Sequence, residues 1–135
     1  MYLIRHKKPE IALKLIPWFV VLDIRIENMY LELLERMNDD PDDTYVCVCY
    51  DDDNSVCGMT IAYCRDNDVF IWQANTRRDV PRSLVDEAFN AIIEWAKDKG
   101  FKLVTGKPNR VRRIWKRRWG FKPTPDNETE VYKEI

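Results

Sequence analysis

Few side chains in this 135-residue sequence combine a reactive group with a spacing that a reaction needs. The four cysteines, Cys47, Cys49, Cys57 and Cys64, crowd into one apolar third of the chain and contain no C-x-x-C pair. On alternating strands Cys47 and Cys49 share a face, whereas Cys57 and Cys64 differ in parity. Buried reduced thiols are therefore expected, and a tetrahedral metal site is not. A cysteine nucleophile needs an activating base. His6, the only histidine, has no sequence feature that brings it near and reads as a surface residue. The clearer chemical signal is basic. Arg77, Arg78 and Arg82 surround Pro81 at an expected helix start, where free N–H groups and the positive dipole end suit a phosphate. Guanidinium forks add bidentate, charge-assisted bonds. Pro81 removes one donor, and Asp79 is placed to cap the helix with its own carboxylate. A capped, solvated helix start would account for the same residues.

The elements that must position these groups follow from periodicity. Residues 1–5 form a short strand candidate, and Ile11, Leu15, Trp18, Phe19 and Leu22 recur at helical spacing, with Pro17 expected to kink or split that helix. A second helix holds Ile26, Met29, Tyr30, Leu33, Leu34 and Met37 and stops at the Asp/Asn/Pro cluster 38–43. From Thr44 the period becomes two: strands over 45–50, 56–64 and 69–73 make an antiparallel meander. Pro81 opens a helix whose apolar face ends at Gly100, placed as a left-handed cap. A strand over 101–105 follows, then a short helix carrying Val111, Ile114, Trp115 and Trp119, then a last strand within 129–135. A helix joins the third meander strand to strand 101–105, so those two are expected to lie parallel through a crossover. The fold class is α/β: a mixed, mostly antiparallel sheet flanked by helices, with one parallel strand pair.

This order, the Trp-Gly-Phe at 119–121 that ends a short helix, and Asn109 eleven residues before Gly120 resemble the GNAT superfamily of acyl-CoA-dependent N-acyltransferases. The resemblance covers nearly the whole chain and implies one GNAT-like domain over residues 1–135, with acetyl-CoA as cofactor and an amine as acceptor. In that family the strand before the long helix binds the pantetheine arm along its backbone, a glycine-rich loop wraps the pyrophosphate, and an Asn lies near the thiol end. Carried onto this sequence, the cofactor-binding residues would be Trp72, Gln73, Ala74 and Asn75 on the strand, Arg77, Arg78, Arg82 and Ser83 in the loop, and Asn109. No glycine occurs between Gly58 and Gly100, so arginine side chains would replace the glycine loop's backbone.

Transfer of an acyl group from a thioester to an amine needs a base for the amine and an acid for the leaving thiolate. The family's acid, a tyrosine, falls on Lys116, which could serve if desolvated beside Trp115; a solvated lysine on a basic helix is the plainer account. Tyr132 on the last strand is a substitute acid, though core packing explains it equally. Gln73 and Asn75 could orient a water, and Asp66 and Asp68 lie in the preceding turn, where they could be too far from the reacting centre.

Charge is unevenly spread behind a net value of −1: residues 1–98 carry 11 basic and 19 acidic side chains, residues 99–125 carry 10 and none. Arg110, Arg112, Arg113, Lys116 and Arg117 form a basic face on the short helix. It would suit the cofactor's 3′-phosphate, a nucleic-acid backbone or an acidic protein surface, or stay solvated. An alternative function is therefore an inactive GNAT-fold binding or assembly protein with a polyanion or protein partner at segment 99–125. The acidic loops 39–43 and 51–53 point to a cationic acceptor. The apolar run 15–22 is too short to cross a bilayer and continues into charged residues, so a cytoplasmic protein without membrane contact is expected.

Overall fold

The computed structural model describes residues 1–19, 26–108 and 112–135. The elements in chain order are β1 (Tyr2–His6), α1 (Ile11–Lys14), α2 (Ile26–Asp39), β2 (Thr44–Tyr50), β3 (Val56–Cys64), β4 (Val69–Thr76), α3 (Arg82–Asp98), β5 (Leu103–Gly106), α4 (Arg112–Trp119), β6 (Lys122–Thr124) and β7 (Asn127–Glu134). The seven strands make one sheet in the order β1-β2-β3-β4-β5-β7-β6. Every neighbouring pair is antiparallel except β4 and β5, which α3 joins as the expected parallel crossover.

Each element follows from local chemistry. Pro17 splits the first helical stretch: α1 stops at Lys14 and a 3-10 turn, Ile16–Trp18, takes over. The expected continuation through Leu22 lies outside the described residues. At the C-terminus of α3 the Gly100 N–H donates to the Lys97 carbonyl at 2.9 Å and the Phe101 N–H to the Ala96 carbonyl at 3.0 Å. That pair of bonds needs a left-handed residue, and Gly100 supplies it at φ 86°. β6, only Lys-Pro-Thr, is too short to show an alternating pattern and has no counterpart in the sequence-based expectation.

The sheet separates two cores. On one face Val46, Val48, Met59 and Ile61 meet Ile11, Leu15, Met29, Leu33 and Met37 of α1, α2 and the turn after α1. On the other face Tyr45, Cys47, Ala62, Val69, Ile71, Val104 and Val131 meet Phe89, Ile92, Trp95 and Ala96 of α3, and Trp115 of α4. Both layers are mainly apolar, so the sheet has two buried faces rather than one buried and one wet.

Two irregularities shape the space that matters. The β4–β5 ladder covers only Val69–Ile71 against Val104–Gly106, so β4 continues to Thr76, beyond the expected end at Gln73, with β3 as its only strand partner. A bulge in the β3–β4 ladder, with Ile61 opposite Gln73 and Ala62 opposite Ile71, leaves Trp72 as the extra residue. Gly106 closes β5, and a Cβ built on it would stand 2.5 Å from the buried Trp115 ring. The indole thus lies against bare backbone where β5 parts from β4. Gly106→Ala should overpack this contact and lower stability by about 1–3 kcal/mol, read as a reduced urea midpoint; an unchanged midpoint would show that the indole is free to shift.

Candidate functional site

A cavity of ≈ 470 Å³ opens beside the free end of β4. Its outer wall is Arg78, Val80 and Arg82 at the start of α3, its near side is Ala74, Asn75 and Thr76, and Ile114, Trp115, Arg118 and Trp119 close it from α4. The α3 helix starts at Pro81, whose carbonyl accepts from Leu84 N–H at 3.0 Å. No side chain caps this end, and no acidic residue occupies its first turn. The expected Asp79 cap is therefore absent, for a specific reason. Arg77 draws the Asp79 carboxylate away, donating from Nε at 2.6 Å and from a terminal nitrogen at 2.9 Å, while its other nitrogen reaches Asp51 at 3.0 Å.

The three arginines therefore differ in state. Arg77 lies on the cavity wall but is committed to two carboxylates. Arg78 and Arg82 are exposed and make no hydrogen bond or ion pair among the described residues. With Asp79 occupied by Arg77, the helix start presents two unpaired guanidinium groups to the cavity mouth.

The α4 wall is held by aromatic stacking and one carboxylate. Trp119 stacks on Phe89 of α3 with ring centroids 3.9 Å apart, and Trp115 meets Phe89 edge-on at 5.0 Å. Asp86 of α3 receives a two-pronged ion pair from Arg118 and accepts from the Trp119 indole N–H at 2.9 Å. The Lys133 ammonium donates to the Trp119 carbonyl at 2.6 Å, closing the C-terminus of α4.

Among the residues singled out from sequence, Ala74, Asn75, Arg77, Arg78 and Arg82 line the cavity. Asn75 is already engaged, donating to the Trp18 carbonyl at 2.8 Å and to Gln73 at 3.3 Å. Trp72 instead packs with Phe19 and Tyr63 on the sheet face that carries α1 and α2. Gln73 is buried outside the cavity wall. Ser83 is exposed on the outer side of α3, beside Asp86 and Glu87 in a shallow depression. Lys116 is exposed on α4 and does not line the cavity. Tyr132 is half-buried opposite Thr105; its neighbour Val131 faces α3, so alternation turns Tyr132 to the other face. Asn109 and Arg110 lie outside the described residues. Arg113, Lys116 and Arg117 are exposed, which leaves a basic face on α4.

Two features escaped the sequence. A register shift in the β2–β3 ladder at Cys49/Tyr50 brings the Cys57 thiol 3.2 Å from Cys49, so the parity argument failed locally. Burial, and then the neighbouring Cys57, pushes the Cys49 pKa up to about 12, so Cys49 remains a neutral thiol. His6 is not a plain surface residue: it is half-buried and shares a hydrogen bond of 2.8 Å with the Tyr50 hydroxyl. Among the described residues no cluster of His, Cys, Asp or Glu could hold a metal ion, and no helix is long and apolar enough to cross a membrane. Asp68 is buried in a network with Arg65 and Thr105. It precedes the first residue of β4, about 25 Å along the strand from Thr76 and about 20 Å from Ala74 at the cavity's near side.

The carboxyls of Asp51, Asp79 and Asp86 all sit below the ordinary 3.8. Asp51 is held there mainly by the Ser55 N–H and then by Arg77, Asp79 by Arg77, and Asp86 by Arg118 and then Trp119. A carboxyl lowered in the native state stabilises fully above its unfolded value, and loses that contribution as pH falls through the native one. The urea midpoint should therefore fall between about pH 4 and pH 2, and Asp86→Asn should fall less across that window. Equal falls in the two proteins would mean that the α3–α4 ion pair carries none of the acid sensitivity.

No protein-family model matches the chain, and no curated protein matches it in sequence. Solved structures do match in shape. A PaiA N-acetyltransferase from Thermoplasma acidophilum, in complex with coenzyme A, superposes with a TM-score of 0.72 at 14% identity, covering 100% of both chains. A GNAT-family acetyltransferase from Staphylococcus aureus Mu50 gives 0.72 at 10% identity over 98% of each chain. A GNAT-family acetyltransferase from Elizabethkingia anophelis with acetyl-CoA bound gives 0.55 at 14% identity, over 75% of this chain and 82% of the other. The mixed sheet with its single β4–β5 parallel junction and the helices on both faces give this chain the fold of the GNAT acetyltransferases.

Proposed function

We propose that the chain is an acetyl-CoA-dependent acetyltransferase acting on an amine, with the cavity beside β4 as its cofactor site. One observation carries this reading: a helix start whose two unpaired arginines face a cavity running along the free edge of a strand. The fold's solved relatives that hold coenzyme A or acetyl-CoA support it. The residues fit the cofactor's parts. Arg78 and Arg82 would bind the pyrophosphate with side-chain forks, where glycine loops use backbone. From Gln73 to Thr76 the β4 backbone has a strand partner on the β3 side alone, leaving amide groups on the other edge for the pantetheine arm. Bound acetyl-CoA would supply the activated acetyl thioester.

The chain's own contribution is binding, orientation and exclusion of water. Trp115, Trp119 and Phe89 make the inner wall apolar. The amine acceptor would be cationic in solution and drawn by the acidic loops. There Asp43 already pairs with Lys99 at 3.1 Å and Asp51 with Arg77, while Asp39, Asp42 and Asp53 remain exposed.

A second reading, a GNAT-fold binding or assembly protein without catalysis, is favoured by a different observation. The only titratable groups on the cavity wall among the described residues are arginines and the thiols of Cys47 and Cys49. Both thiols are held neutral by burial. In that reading the basic face of α4 meets a polyanion or an acidic protein surface.

Calorimetric titration with acetyl-CoA separates the two. Wild-type protein should bind saturably, and Arg78→Ala and Arg82→Ala should each weaken binding about 10- to 100-fold, since a charge-assisted bond is worth roughly 1.5–3 kcal/mol. No binding by the folded wild type would discard the acetyltransferase. In that event loss of polyanion binding in an Arg113→Ala, Arg117→Ala variant would support the binding module.

A further inference from the structure

The mouth of the cavity holds three arginines and, within the same short stretch of chain, one carboxylate. Asp79 stands beside Arg78 and three residues ahead of Arg82. A free carboxylate at that place would pair with one of these guanidinium groups or turn to the open N–H groups at the start of α3. Either way it would put negative charge where a phosphate has to approach.

Asp79 is not free, because Arg77 takes both of its oxygens, at 2.6 Å and 2.9 Å. Arg77 is itself anchored. Its backbone N–H donates to the Cys57 carbonyl at 2.8 Å, and its remaining guanidinium nitrogen donates to Asp51 at 3.0 Å. Asp51 is fixed at the base of the β2–β3 turn, where its other oxygen accepts the N–H groups of Asp53 and Ser55 at 2.9 Å and 3.0 Å. That turn is tied in its own right to β1, by the N-terminal ammonium on Asp52 and the Tyr2 hydroxyl on Asn54. The clasp therefore runs from the sheet to the loop before α3, and Asp79 sits at its outer end.

The chain thus treats its arginines in two ways. All three guanidinium nitrogens of Arg77 are engaged with carboxylates, whereas Arg78 and Arg82 make no hydrogen bond or ion pair among the described residues. The pairing of Arg77 is what leaves the other two unpaired.

We propose that Arg77 is a positioning residue of the cofactor site: it acts through Asp79, which it keeps from neutralising Arg78 and Arg82, and it does not itself hold the cofactor. The proposal rests on the cofactor reading above and states how the same site is kept ready for an anion. It also reverses the role that the family resemblance implies for Arg77, which was to bind the pyrophosphate directly.

A four-member cycle of wild type, Arg77→Ala, Asp79→Asn and the double variant, titrated calorimetrically with acetyl-CoA, tests it. Arg77→Ala releases Asp79 onto the two arginines and should weaken binding about tenfold. Asp79→Asn alone should stay within about twofold of wild type, because a carboxylate already held by Arg77 takes nothing from the ligand. The double variant should also return to within about twofold of wild type, since with no carboxylate to hold the clasp is dispensable. A role in bracing the loop would not be rescued by removing the brace's partner. Thermal midpoints check that each variant is folded, and Arg77→Gln replaces the alanine variant if that one is not. A double variant that binds as weakly as Arg77→Ala overturns the proposal, and so does an Arg77→Ala protein that binds like wild type. Tightening in Asp79→Asn as large as the weakening in Arg77→Ala overturns it as well, because net charge would then be the whole cause. Each of these three results leaves the cofactor reading standing. Failure of the folded wild type to bind acetyl-CoA overturns both.

Discussion

The stack of Trp119 on Phe89, with Trp115 edge-on beneath, is the contact on which the site depends. α4 is eight residues long and carries five arginines and lysines, so neither its length nor its charge would sustain it alone. The helix persists because its two tryptophans bury against α3 and β5, and because Asp86 neutralises Arg118 at the same seam. Its position then decides everything nearby. The indole of Trp115 takes the space over Gly106, the α4 wall stands off the sheet by the thickness of an aromatic ring, and the cavity lies along what remains.

Charge pairing is the second constraint, and it acts by selection. The basic and acidic blocks of the sequence suggested whole segments attracting one another, yet the structure matches individual groups. Arg77 is spent on Asp79 and Asp51, Lys99 on Asp43, and the N-terminal ammonium on Asp52. What is left unpaired is therefore more informative than the count. Among the described residues, Arg78 and Arg82 at the start of α3, and Arg113, Lys116 and Arg117 on α4, are exposed and make no hydrogen bond or close ion pair. Exposed pairs of this kind contribute little to stability. Their larger effect is to fix which cations remain available and where the loop before α3 runs.

The two features also explain why a fold shared with acetyltransferases presents an unusual site. Glycine lets backbone approach a phosphate, whereas proline and arginine force recognition onto side chains. A tyrosine on the helix after β5 would place an acid near the cofactor strand. Here that position is Lys116, pointing to solvent, and the inward position beside it is Trp115. In the proposed reading binding and catalysis would separate: Arg78 and Arg82 stand at the cavity mouth, while among the described residues its wall offers only neutral thiols and arginines to move a proton.

The element order, the parallel crossover through α3 and the glycine cap at Gly100 were all legible in the chain, because each depends on periodicity or on one residue's backbone preference. The placement of Ala74, Asn75, Arg78 and Arg82 beside one another followed from their closeness in sequence across a strand end and a helix start. Nothing local could announce the rest. A register shift of one residue put Cys57 against Cys49 and broke the parity that the alternating pattern implied. A bulge made Trp72 the extra residue, packed on the α1–α2 face of the sheet. The choice between Asp79 capping α3 and Asp79 binding Arg77 was decided by Asp51, 28 positions earlier in the chain. The cavity itself comes from rows of residues on four strands that no stretch of sequence brings together. Periodicity and turn chemistry are properties of neighbouring residues and can be read one segment at a time. Register, ion-pair choice and empty space depend on which segments end up adjacent, and only the packed tertiary structure specifies that.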